Sequence, residues 1–381
     1  MRTLTVVLKQ HTPLIHFQHN QYGATLRASE VKPKLDFFLL KKLNSDLDIR
    51  KESLPYCKEG TTINDIREIA FEYIYNKKKK RWMNTQNKSF LYRMRITTKN
   101  ENRVNLRMDE GNFPFMLCNM DKDGDELVQF SYYKEIELKI MSQDEMLLHK
   151  IDEYLDEFLA ITNFGCRQNK GFGSFYRKGR NTLEFQTNIL KTYSKVWKKT
   201  IADYEPNLNG FNELFKQLDR NYKELKSGLP GKRPKASCLS LYFKGFISEK
   251  EVIKDCVKNN ACLSKNNALY IRSCLGLTDG AKLNDDMEII IKHLSPSETE
   301  KIERYQSPIT FKIFDNCIFV LADDTFDSIK GETFEFSFVD SNKNTVRESV
   351  KLNAPDEFDL CNFLSKNIGR MGYNLISRMR Q

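Results

Sequence analysis

Gly165-Cys-Arg-Gln-Asn-Lys-Gly-Phe-Gly-Ser-Phe175 sets two cations and two closely spaced glycines directly behind a strongly amphipathic stretch. Glycine lets a backbone turn tightly and approach another molecule closely, and Arg167 and Lys170 add charge that favours a phosphate there. Before it, Leu147, Ile151, Tyr154, Leu155, Phe158 and Ile161 recur at three- and four-residue steps, the signature of one buried helix face. Ser142 and Glu145 have capping-box spacing and predict the helix start. Gly165 stands where a left-handed cap would end it. Apolar character resumes only at Phe175, so residues 175–177 read as a strand and the glycine-rich segment joins a helix to a strand.

Working outward, residues 4–8 and 92–96 read as strands, 30–43 as a helix, and 132–140 as a strongly alternating strand. Residues 113–118 and 126–130 flank Asp123-Gly124, a hairpin signal. The order strand, helix, strands, helix, strand predicts a ferredoxin-like α+β domain over residues 1–180, a plan shared with RNA-recognition (RRM) domains. Residues 181–381 read as a second α+β domain. Helices are expected at 181–199, 209–226 and 249–258, and strands at 239–243, 287–291, 309–314, 318–321 and 333–339. Residues 227–235 are dense in breakers and cations and read as a loop. A closing helix is expected over 356–380. No internal sequence repeat is visible.

Composition bounds the reading. A chain of 381 residues suits about two domains. Its 40% hydrophobic content, with 26 phenylalanines and 16 tyrosines, fills sizeable cores and excludes a disordered protein. The formal charge of +10 suits a polyanionic partner without naming one. Nine cysteines include no Cys-x-x-Cys pair, so neither a zinc knuckle nor a thioredoxin motif is present, and most are expected to be reduced core residues of a cytoplasmic protein. No segment approaches the ~20 apolar residues of a membrane span, and the first apolar run is too short for a signal peptide.

Further residues carry a resemblance. A first strand running into Thr12-Pro13-Leu14, then Gly23-Ala-Thr-Leu-Arg27-Ala-Ser-Glu-Val-Lys32-Pro33-Lys34 opening a helix, then the glycine-rich loop after the second helix, resembles the RAMP superfamily of CRISPR effector proteins. Within it, Arg27 followed by a small residue, a serine and a lysine is similar to a stretch of the first subunit of the Cmr, or type III-B, complex. Glu30, Val31 and Pro33 depart from that stretch. Arg167, Lys170, Gly171, Phe172, Gly173 and Ser174 fit the superfamily's loop, and residues 307–312 resemble the serine-proline strand of several RAMP second domains.

The resemblance implies a non-catalytic RNA-binding subunit whose partners are guide RNA, target RNA and neighbouring RAMP subunits; no cofactor is expected, and no metal either, because the histidines lack a matched cysteine or carboxylate spacing. Arg27, Lys32 and Lys34 lie at a helix start, where free backbone N–H groups reinforce phosphate contacts. The resemblance implies that this start faces the loop across a groove, with Phe172 or Tyr22 stacking a base.

Duller readings stand beside these. A glycine-rich loop is often only a tight turn, and the 77–81 basic run reads as a solvated loop. His11, His16 and His19 fall between the first strand and helix. An alternative is a metal-independent ribonuclease processing CRISPR transcripts, with His16 or His19 as general acid or base. No second group completes that mechanism, and a loop histidine is the preferred reading. A purely architectural protein is the third. The 121–126 acidic run has its glycine too early for a calcium loop, and Gly171-Phe-Gly173 follows a helix, the reverse of a dinucleotide fingerprint.

Overall fold

The computed structural model describes residues 1–15, 25–43, 90–98, 103–104, 130–179, 183–193, 195–202, 204–259, 267–277, 280–282, 287–295, 302, 305–323, 326–340 and 344–376. It is a mixed α+β structure. Strand β1 (Arg2–Gln10) is followed by β2 (Leu14–Ile15), helix α1 (Ala28–Leu43), β3 (Arg93–Thr97), β4 (Arg103–Val104), β5 (Phe130–Tyr133), β6 (Glu135–Ser142), α2 (Glu145–Ile161), a 3₁₀ turn (Gln168–Lys170) and β7 (Phe175–Arg177). The main sheet of this first unit runs β3-β6-β1-β7, with every pair antiparallel. β6 alternates buried and half-buried residues along its whole length. Leu4, Val6 and Leu8 sit opposite Ile140, Leu138 and Ile136. A one-residue slip would turn all of these away from Val31, Leu35 and Leu39 of α1 and from Ile151, Leu155 and Phe158 of α2, with which they share one core. Each fully buried aliphatic there contributes about 1.5–3 kcal/mol, so register is held by the pattern itself.

Helix α3 (Leu183–Tyr193) leads into a second unit: β8 (Val196–Thr200), α4 (Leu208–Lys226), β13 (Ile309–Phe314), β14 (Cys317–Ala322), α7 (Leu360–Asn367), a 3₁₀ turn (Ile368–Met371) and β17 (Asn374–Ile376). Its sheet runs β13-β14-β8-β17, again wholly antiparallel. The two units therefore thread strand, helix, strand, strand, helix, strand into sheets of the same order. The second is interrupted by long connections. These contribute α5 (Cys238–Tyr242), α6 (Glu249–Asn259), β9 (Ile247–Ser248), β10 (Ala268–Leu269), β11 (Gly280–Lys282), β12 (Glu288–His293), β15 (Thr333–Val339) and β16 (Thr345–Asn353). Their six strands form one sheet, β11-β12-β15-β16-β10-β9, with Val252, Ile253 and Cys256 of α6 packed on Phe334, Phe336 and Phe338.

Several expectations are corrected. Ser142 ends β6 and does not cap α2; Asp144 does, its Oδ1 accepting from the Met146 and Leu147 amides at 2.9 and 3.2 Å. α2 ends at Ile161 with Thr162 extended, so the left-handed Gly165 shapes the loop beyond. The alternating 132–140 segment breaks at Lys134 into β5 and β6. The 181–199 segment is helical only to Tyr193, because the β-branched and aromatic Val196-Trp197 edge is drawn between β14 and β17. The 239–243 segment lies in α5 and its C-cap, not in a strand: Ser237 Oγ accepts from the Ser240 amide at 3.1 Å, and a cap outweighs a short alternation that leaves Leu241 57% exposed. The closing helix is confined to α7 and its 3₁₀ turn, stopped by Gly372 at φ 85°. Both 113–118 and the Asp123-Gly124 turn lie outside the described residues, as does nearly all of 126–130. Cys166, Cys238, Cys274, Cys317 and Cys361 are free thiols, whereas Cys256 is disulfide-bonded. Among the described residues no helix is long and apolar enough to cross a membrane.

Candidate functional site

The start of α1 and the glycine-rich loop meet. Glu30 Oε1 accepts from the Gly165 amide at 2.7 Å and from Lys34 Nζ at 2.9 Å. Lys34 Nζ also donates to Gln168 Oε1 at 2.8 Å and to the Asn163 carbonyl at 3.2 Å, so its three protons are all engaged. Lys32 Nζ donates to Asp36 Oδ2 at 2.7 Å and to the Phe90 carbonyl at 3.1 Å, over the Tyr92 ring. Burial raises the Asp36 carboxyl above its usual range, against the pull of Lys32. Lys34 thus holds α1 against the loop, while Lys32 ties α1 to the segment before β3. Arg27 is exposed at the entrance to α1, where its carbonyl accepts from the Glu30 and Val31 amides.

Within the loop, left-handed residues alternate with tight contacts. Arg167 sits at φ 54° and Gly171 at φ 89°, bracketing the 3₁₀ turn. At Gly173, φ 65°, a Cβ would lie 1.9 Å from the Phe164 carbonyl oxygen, which only glycine avoids. The loop's far side faces the second unit. A Cβ on Gly171 would meet Ile313 Cδ1 at 2.7 Å; Ser174 Oγ donates to the Ile313 carbonyl at 2.6 Å; Asn163 Nδ2 donates to the Phe311 carbonyl at 2.8 Å; and Lys312 Nζ donates to the Thr162 carbonyl at 2.6 Å. Asn169 Nδ2 reaches the Ser307 carbonyl at 2.7 Å, which fixes the serine-proline strand against the loop.

Three sequence expectations change at this seam. Phe172 is fully buried, its ring parallel to Phe215 of α4 at 3.9 Å between centroids, so neither face is open to a base. Lys170 Nζ is buried without a hydrogen-bond partner on the face of Tyr222. Burial, and then the neighbouring Lys226 and Arg167, hold its ammonium well below the ordinary lysine range despite Asp219. Gly171 and Ser174 pack against the second unit, while Gly173 packs against Phe164 and Leu14 of the first, which the spacing of glycines did not reveal. Tyr22, His16 and His19 lie outside the described residues. His11 is buried between Tyr176 and Phe314, both at 4.9 Å, and its Nδ1 accepts from the Asp315 amide at 2.9 Å. Burial lowers its pKa despite Asp315, and a neutral wedged ring has no path to a substrate.

Sequence reading passed over Lys312, Asn163 and Gln168. Lys312 has no period-2 signal because β13 is buried on both faces, and it too is depressed by burial and by Lys34. Arg27 and Arg167 are thus the cations at this junction whose side chains are not sealed in the seam, with Arg167 half-buried.

Family models for the Cmr1 N-terminal domain and the Cmr1 C-terminal domain match residues 1–229 and 235–379. No curated protein matches the chain. Among solved structures, the crystal structure of Cmr1 from Pyrococcus furiosus in its apo form is similar over 99% of each chain, at 11% identity and a TM-score of 0.43, a distance at which the likeness carries no argument. With matched domains spanning nearly its whole length, the chain belongs to the Cmr1 family.

Proposed function

We propose that this Cmr1-family chain is a non-catalytic, RNA-binding subunit of a type III-B CRISPR effector, contacting guide and target RNA in antiviral defence beside neighbouring RAMP subunits in the cytoplasm. The first unit is read as a ferredoxin-like RAMP domain over residues 1–180 and the remainder as its diverged partner, because the two sheets share one strand order. The observation that carries the function is the join between α1 and the glycine-rich loop through Glu30 and Lys34. That join presents Arg27 beside the positive end of a sixteen-residue helix and Arg167 on a left-handed turn. Lys34 braces this surface through Glu30 and Gln168, and Lys32 braces α1 through Asp36 and the Phe90 carbonyl. The contact is with backbone and shape, while base pairing to a guide carries sequence.

The test is fluorescence anisotropy of single-stranded RNA on the full chain across a salt series, comparing wild type with Arg27→Gln/Arg167→Asn. Asparagine tolerates the left-handed backbone at 167. Affinity should fall roughly tenfold and the salt slope by about 1.4, two single-strand phosphate contacts. Unchanged affinity and slope would remove the assignment. Discrete cleavage of repeat RNA in EDTA would instead favour the ribonuclease reading through His16 or His19.

A further inference from the structure

The second unit repeats the loop device of the first. In the first, the 3₁₀ turn Gln168–Lys170 ends on Gly171 at φ 89° just before β7; in the second, Ile368–Met371 ends on Gly372 at φ 85° just before β17. Each loop lies beside the strand that opens its unit, β1 or β8, and the helix that follows it, α1 or α4. The two places differ in what fills them. In the first unit Lys34, Gln168 and Glu30 knit helix to loop and α4 covers the far side. In the second a cleft of about 980 Å³ remains open between the end of β8, the outward face of α4 and Arg370.

The charges around this cleft are unevenly spent. Glu213 pairs with Lys216 at 3.0 Å, Glu224 with Lys235, and Lys199 Nζ donates to the Met371 carbonyl at 2.8 Å. Arg220 and Arg370 are exposed and pair with no carboxylate among the described residues. Also lining the cleft, Gln217 keeps a buried Nε2 donor without an acceptor. The Glu205 carboxylate, which also lines the cleft, accepts from the Asn207 side chain at 2.8 Å. Guanidinium forks match phosphate oxygens, and the carboxylates that line the same cleft can accept from hydroxyl groups. The volume lies at the upper end of the ~300–1,000 Å³ of ligand pockets, larger than one phosphate needs.

We infer that this cleft is a second RNA subsite, taking a short single-stranded run of ribose-phosphate chain whose phosphates meet Arg220 and Arg370 and whose 2′-hydroxyls face Glu205 and Glu213. A 2′-hydroxyl is what separates RNA from DNA at such a place. The inference rests on the reading of the chain as an RNA-binding protein, but on residues separate from the α1 junction.

The experiment uses the full chain, labelled single-stranded RNA and DNA of one sequence, and two double variants: Arg220→Gln/Arg370→Gln in the cleft and Arg27→Gln/Arg167→Asn at the junction. The cleft variant should weaken RNA binding about tenfold, lower the salt slope by about 1.4, and narrow the preference for RNA over DNA. Arg220→Lys/Arg370→Lys should restore the slope, which a folding defect would not permit. If the junction variant binds as wild type while the cleft variant is weakened, the junction reading fails and the cleft stands. A cleft variant with wild-type affinity and slope overturns the subsite, and a wild-type chain that binds neither polymer at tens of micromolar overturns both.

Discussion

Lys226, half-buried, keeps its ammonium against the Gly276 and Leu275 carbonyls at 2.6 and 3.2 Å, and desolvation with Arg272 nearby pulls its pKa from 10.5 down to about 7 against the pull of Glu249. A neutral amine still has two N–H groups for those two carbonyls, so losing the proton costs no contact. Above about pH 7 the folded chain has released a proton that the unfolded chain holds until about 10.5, so stability must rise with pH across that window. Lys226→Met should flatten the rise, read as urea midpoints at about pH 7 and pH 9. Lys170 is the sharper case because it has only the Tyr222 ring. Desolvation of a lone ammonium costs several kcal/mol and a desolvated cation–π contact returns about 2, so Lys170→Met should stabilise the chain by about 1 kcal/mol or more. Equal or lower urea midpoints in the variant would show that the ring compensates fully. The sequence displays a lysine among glycines in either event; whether it meets phosphate or a tyrosine is decided by Phe215, Leu218 and Tyr222 of a helix some fifty residues on, which no local pattern contains.

Elements were legible where one period dominates. β1, α1, β6, α2 and β15 follow from alternation or from three- and four-residue spacing, and each buries the face its pattern marks, whereas β13 and β14 are short apolar runs buried on both faces. Boundaries were less so, because two polar residues competed to start α2. Asp144→Ala should cost about 1 kcal/mol as both amide contacts are lost, whereas Ser142→Ala, which loses hydrogen bonds to the Leu91 carbonyl and the Asp144 amide, should leave helix content unchanged; far-UV dichroism through thermal unfolding distinguishes them. The glycine loop offers a second comparison. Gly173→Ala combines a left-handed φ with a collision against backbone, while Gly179, at φ 86°, has open space around its missing Cβ. Alanine at 179 should cost about 1 kcal/mol and at 173 more than about 3, enough to abolish soluble expression of a marginal fold. Equal costs would mean that the loop relaxes away from Phe164. Sequence alone cannot rank the two glycines, since the ranking lies in the carbonyl that approaches one of them.

Across the whole molecule, the repeated strand order escaped the sequence because the second unit is split by residues 227–308 and 323–359, which build a sheet of their own. What binds the two units is the loop first read as a phosphate cradle: its ring stacks into α4, its serine and asparagine cap the open carbonyls of β13, and Lys312 returns a bond to Thr162. Glycine-rich composition has the same physical cause in both roles, close approach of backbone, and so cannot tell an RNA strand from a neighbouring strand of protein. The consequence is mechanical. If this seam couples the units, they unfold together, and Phe172→Ala, which empties a site enclosed by Phe215 and its neighbours, should cost about 3–5 kcal/mol and act mainly on the coupling. Calorimetry of the full chain should then show one transition resolving into two, with the ratio of van't Hoff to calorimetric enthalpy falling below that of wild type. A single transition merely shifted to lower temperature would place the coupling elsewhere, in the His11 wedge or the Lys9–Asp315 pair at 2.7 Å across the same boundary.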